Sequence, residues 1–172
     1  GIKLSGLHFI GDFLDLNSLS AHDKGQVAIP GITLGKEYKE GNKVLDMFDK
    51  AFGSNNIERT FIYGNHEDRY LRHIKDIDNS KFADALTSPK EALKLEERGY
   101  KVYTNWKEDY HQLGQLQLIH GEFCGKSPAR SHMDKLKSSV MFGHTHRVDI
   151  VYDGEKAGFN IGWGGDKNAP AF

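Results

Sequence analysis

Ser139-Val140-Met141-Phe142-Gly143-His144-Thr145-His146 is a short apolar run that ends in a glycine and two histidines one residue apart. It reads as a buried strand feeding a loop that carries the chemistry. Three earlier stretches repeat the plan. Leu7-His8-Phe9-Ile10 runs into Gly11-Asp12-Phe13-Leu14-Asp15, Thr60-Phe61-Ile62-Tyr63 into Gly64-Asn65-His66-Glu67, and Leu116-Gln117-Leu118-Ile119 into His120-Gly121. Polar side chains delivered at successive strand ends are where open α/β sheets gather ligands. An aspartate, an asparagine and three histidines so placed suit hard to borderline divalent metals.

In this order the blocks resemble the calcineurin-like metallophosphoesterases. The recurring blocks of that family are Asp-x-His, Gly-Asp-x-x-Asp, Gly-Asn-His-Asp/Glu, a lone His, and Gly-His-x-His. Four of the five are present; no Asp-x-His precedes Gly11. The compact size and the run Gly64-Asn65-His66-Glu67-Asp68-Arg69 are similar to small bacterial and phage members. The resemblance implies an α/β fold: an α/β/β/α sandwich of two mixed sheets flanked by helices, spanning 1–172 as one domain and cut short at both ends. The site would lie along the edge loops of the sheets.

The resemblance also implies roles. Asp12 would bridge two cations. The second metal would be held by Asp12, Asn65, His120 and His144, the first by Asp12 and His146. Asp15 would support its loop. His66 would face the substrate as general acid, with Glu67 orienting its imidazole, as carboxylates behind catalytic histidines do. Two divalent ions, Mn²⁺ first with Fe, Zn²⁺ or Ni²⁺ as alternatives, would activate a hydroxide for attack on phosphorus. The function implied is hydrolysis of a phosphomonoester or phosphodiester, whether of a small molecule, a nucleotide or a nucleic acid.

The missing block would complete the shell of the first metal, and three explanations stay open. The chain is an incomplete copy, or a divergent member that recruits another side chain or keeps one metal, or a fold that has lost catalysis and serves as a metal-binding scaffold.

Composition bounds these readings. The chain has 172 residues and a formal net charge of −1, which advertises neither a nucleic-acid nor a membrane partner. A nuclease would be expected to show a basic stripe, and none is evident. No apolar run approaches the ~18 residues of a membrane span, and the first residues lack the plan of a secretory signal. Cys124 is the single cysteine, so no internal disulfide forms and a cytoplasmic setting is expected. Oligomeric state is not legible.

Between the blocks, 16–35 reads as a loop and 36–52 as a helix burying Val44, Leu45, Phe48, Ala51 and Phe52. A second helix starts at Glu67 and carries Tyr70, Leu71 and Ile74 inward. Ser88-Pro89-Lys90-Glu91 is a capping box opening a helix that Gly99 stops. Strands are expected at 101–103, 109–113 and 115–120, a helix at 128–137, and a hairpin turning at Asp153-Gly154. His8 is expected to pack or hydrogen-bond within its strand. His22, His73 and His111 read as loop, helix-surface and strand residues. His132 reads either as part of a solvated helix face or, with Lys126 and Arg130, as a phosphate-steering patch. Trp163 reads as packing.

Overall fold

The computed structural model describes residues 4–20, 31–53, 56–76, 86–162 and 164. His22, Trp163 and half of the expected 16–35 loop, residues 21–30, lie outside them. The chain divides into two compact units, Gly1–Asp109 and Tyr110–Phe172, each built round its own sheet. The class is the expected α/β, with two sheets and accompanying helices.

In the first unit, β1 (Gly6–Ile10), β2 (Glu58–Ile62) and β3 (Lys101–Tyr103) pair in the order β1-β2-β3. Both pairings are parallel. A mixed sheet was expected, but these three strands are all parallel. The reason lies in the connections: long crossovers through helices join parallel neighbours, whereas hairpins would be needed to reverse a strand. His8 sits within β1 and bonds across the ladder to Thr60, Nδ1 to Oγ1 at 2.8 Å.

Helix α1 (Leu34–Phe52) opens with Thr33, whose hydroxyl accepts from the Lys36 N–H, and ends at Gly53, φ 55°. Its inward stripe is Tyr38, Gly41, Leu45 and Phe48, one step round the helix from the stripe expected. Val44 and Ala51 face outward. The shift is permitted by Gly41, where an added Cβ would lie 2.6 Å from Leu14 Cδ2 and 3.0 Å from Leu93 Cδ2. On the polar shoulder of α1, Arg98 donates to Asp46 (2.6 Å), Asn42 (3.1 Å) and Asp49, while its Nε reaches Leu93 O at 3.0 Å. Arg59 reaches the same Asp49 at 2.5 Å.

Helix α2 (Asp68–Asp76) follows β2, and the short α3 (Pro89–Ala92) opens with the expected capping box: Ser88 Oγ accepts from Glu91 N, and Glu91 accepts from Ser88 N at 3.0 Å. The helix predicted to run to Gly99 stops at Ala92 instead. Lys94 adopts φ 53°, and turns replace the last part of the helix. The core gathers Leu14, Leu16, Tyr38, Leu45, Phe61, Tyr63, Tyr70, Leu93, Leu95 and Tyr100.

In the second unit, β4 (His111–Leu113), β5 (Leu116–Leu118), β6 (Ser139–Phe142), β7 (Val148–Asp153) and β8 (Lys156–Ile161) form a mixed sheet ordered β4-β5-β6-β8-β7. The expected hairpin joins β7 to β8 at Gly154, φ 59°. Helix α4 (Pro128–Leu136) packs Ala129 and Met133 against Ile119, Val140 and Phe142. Its close approach requires Gly158, where a Cβ would meet Met133 Sδ at 2.8 Å. No helix among the described residues is long and apolar enough to cross a membrane.

Candidate metal-binding and catalytic residues

In the first unit the loops after β1 and β2 are tied together by a single carboxylate. Glu67, fully buried, accepts from Gly64 N at 2.7 Å, from Leu14 N at 2.8 Å and from Asp12 N at 3.0 Å. The resemblance implies that Glu67 orients the His66 imidazole; its oxygens accept from backbone N–H groups instead. Burial pushes the Glu67 carboxyl up to about 7, the Asp12 charge adding to the rise while the Leu14 and Gly64 N–H groups oppose it.

That clamp holds Asp12 in a conformation most residues avoid, φ 53°, directly after Gly11 at φ 96°. Left-handed backbone at a non-glycine residue persists only where the surroundings impose it. Here Asp12 gives its N–H to Glu67, and its Oδ1 takes the His66 N–H at 3.0 Å. The His66 ring lies between two carboxylates, Nε2 3.9 Å from Asp12 Oδ2 and Nδ1 3.7 Å from Asp15 Oδ1. Asn65, half-buried, follows Gly64 at the same turn.

Two arginines also engage these loops. Arg69 donates to Asp15 O at 2.7 Å and Asn17 Oδ1 at 3.2 Å, and Arg72 donates to Asn65 O at 3.0 Å. Sequence offers no reason to prefer them over ordinary surface arginines, because two of the three oxygens they reach are backbone carbonyls.

In the second unit His120 ends the strand path of β5 and is buried. Its carbonyl accepts from Gly143 N at 3.3 Å and His144 N at 3.2 Å, fixing the loop after β6 beside it. His120 Nε2 and His144 Nδ1 then face each other 3.0 Å apart, with their rings edge to face. The separation is that of a ring N–H···N hydrogen bond, and it also leaves both nitrogens close enough to serve as ligands of one ion. The pair fits a shared divalent cation.

The spacing of His144 and His146 predicts an extended segment with both rings on one side. The segment is a turn instead, closed by His146 N to Gly143 O at 3.2 Å, with His146 at φ 56°. His144 is half-buried and His146 exposed. Thr145 is more than a spacer, since its hydroxyl accepts from the Asn160 side-chain amide on β8.

His132 fits neither expectation placed on it. It is buried, with Nδ1 2.8 Å from Pro128 O, while Nε2 accepts from Glu122 N at 2.9 Å and Phe123 N at 3.3 Å. A ring so bonded is a neutral imidazole with its proton on Nδ1. Burial pushes its pKa down. Arg130 is engaged by Asp153, so neither forms a phosphate-steering patch. Arg147 secures the same loop, donating to the carbonyls of Cys124 and Gly125, each at 2.9 Å.

No protein-family model and no curated protein sequence matches this chain. Among solved structures it is similar to a single mutant of Vps29 from Entamoeba histolytica. The identity is 16%, the TM-score 0.38, and the match covers 91% of this chain and 73% of that one. A likeness that distant assigns no role.

Proposed function

We propose that this chain binds divalent metal through Asp12, Asn65, His120, His144 and His146, and hydrolyses phosphoesters with His66 as general acid. The observation that carries the metal reading is the 3.0 Å separation of His120 Nε2 and His144 Nδ1. When bound, the ions supply positive charge to the phosphoryl oxygens and acidify water. Asp12 contributes a carboxylate whose orientation is set by the His66 N–H. His66 carries the proton for the leaving oxygen, its ring lying between the Asp12 and Asp15 carboxylates. Glu67 and the two arginines keep the loops of the first unit in place.

The test is Mn²⁺ stoichiometry after loading and removal of excess metal, combined with hydrolysis of p-nitrophenyl phosphate and bis-p-nitrophenyl phosphate. Hydrolysis lost in His66→Ala at unchanged metal content supports the enzyme. Metal bound with neither ester cleaved supports a non-catalytic metal-binding domain. Failure to bind metal overturns both.

A further inference from the structure

Arg69 and Arg72 stand three residues apart on α2, the spacing at which helix side chains are neighbours. Like charges so placed repel each other. Burial pulls the Arg69 pKa down, and the Arg72 charge adds to the drop while Asp12 and Asp15 oppose it. Both arginines are nevertheless held there by the loops after β1 and β2. Arg69 uses Nη1 on Asp15 O and Asn17 Oδ1. Arg72 is anchored on two sides, with Nε 3.1 Å from Asp68 Oδ2 and Nη2 donating to Asn65 O at 3.0 Å. Its side chain is still 54% exposed, and Nη1 makes no hydrogen bond with a described residue. The guanidinium has five N–H donors in a rigid fork, and its neighbours fix its position without using them all.

The carbonyl that Arg72 holds belongs to the residue before His66. Carboxylates crowd the same place: Asp12 and Asp15 flank the His66 ring, and Asp68 faces Arg72. Those charges oppose the approach of a dianion, so a site that takes one needs fixed positive charge beside them.

We propose that Arg72 is the specificity-determining residue of this site, binding the terminal oxygens of a phosphomonoester dianion so that the chain selects monoesters over diesters. The proposal rests on the reading of His66 as general acid. A monoester carries two negative charges over its terminal oxygens, a diester only one. A planar, permanently charged fork matches two phosphoryl oxygens at once and gains more from the doubly charged partner. Arg69 keeps the neighbouring loop in place and adds its charge to the same field.

Catalysis and binding test this separately. On the Mn²⁺-loaded full chain, the ratio of kcat/KM for p-nitrophenyl phosphate to that for bis-p-nitrophenyl phosphate is the first readout. It should fall about 10–100-fold in Arg72→Gln, the size of one lost charge-assisted contact. Arg72→Lys, which keeps the charge and loses the fork, should recover part of the ratio. The second readout is calorimetry with phenylphosphonate, which has no ester bond to cleave, and with its monomethyl ester. At about pH 8 the parent should bind the dianion at least about tenfold more tightly, and Arg72→Gln should erase that preference. Hydrolysis of neither ester with this binding preference intact would refute the general-acid reading and leave the proposal standing. Hydrolysis with a ratio indifferent to Arg72→Gln would do the reverse. An equal loss on both esters would reduce Arg72 to a support for the Asn65 loop and overturn the proposal. So would a chain that does not bind phenylphosphonate.

Discussion

Asp12 and Glu67 are joined by a 3.0 Å hydrogen bond from the Asp12 N–H to the Glu67 carboxylate across 55 positions of sequence. The bond runs from backbone to side chain. It engages the Asp12 backbone rather than its carboxylate, and the chain is locked there at a left-handed φ of 53°. Glu67 therefore acts on the site through geometry, as the anchor on which both loops of the first unit close.

Removing that anchor should cost stability first. Glu67→Ala leaves the N–H groups of Asp12, Leu14 and Gly64 without their acceptor. Each stranded buried donor costs ~1–3 kcal/mol, so the loss should be about 3 kcal/mol or more. Glu67→Gln, which keeps one acceptor oxygen, should lose less. His66→Ala, which strips no backbone partner, should stay within about 1 kcal/mol of the parent. Urea denaturation of the three variants measures the ranking, and equal stability of Glu67→Ala and the parent would refute the anchor.

The buried His132 sets a pH dependence. Burial lowers its folded-state pKa below the ordinary value of about 6.5. Between the folded value and about 6.5 the unfolded chain holds more protons than the native one at this position. The contribution of His132 is therefore complete above pH ~6.5 and falls as pH drops through that value toward the lower folded pKa. Protonation would also turn Nε2 from acceptor to donor, facing the N–H groups of Glu122 and Phe123. His132→Leu should lower stability at pH 8 by about 2 kcal/mol and flatten the slope between pH 7 and 5, as read from denaturant midpoints.

Asn160 is expected to tune metal affinity without touching metal. Its amide holds the Thr145 hydroxyl between His144 and His146. Removing the partners that orient ligands commonly costs 10–100-fold in affinity. Asn160→Ala should weaken Mn²⁺ binding by about that factor in calorimetry, and His144→Ala should weaken it further. Unchanged affinity in His144→Ala would remove the His120–His144 pair from the metal reading.

The Arg98 network should matter more than a surface ion pair. Arg98 is largely sequestered, reaches Asp46, Asp49, Asn42 and the Leu93 carbonyl, and shares Asp49 with Arg59. Arg98→Ala should destabilise by about 2–3 kcal/mol, between the small worth of exposed pairs and the larger cost of breaking a buried one. The denaturant midpoint should shift at constant slope.

Several features were legible because they depend on residues adjacent in the chain. The strands before Gly11, Gly64 and Gly143, the capping box at Ser88 and the hairpin at Gly154 all follow from local pattern, steric freedom and nearby hydrogen bonding. So did the α/β class, from strands alternating with helices. The stripe of α1 was misread by one step because Gly41 looks neutral in sequence. Only its neighbours Leu14 and Leu93 show that the helix must approach there.

What sequence alone determined is which residue types stand at the strand ends: an aspartate, an asparagine and histidines with the donor chemistry for a divalent cation. The tertiary structure decided which partners the other polar residues around them take. Glu67 was assigned to the imidazole beside it and serves three backbone N–H groups, two of them more than 50 residues away in sequence. His132 became a buried clasp, Asn160 a support for Thr145, and the His144–His146 segment a turn. The physical reason is common to all four. A buried polar atom must find a partner, and that partner is chosen by what folding brings within hydrogen-bonding distance, which the neighbours in sequence do not specify.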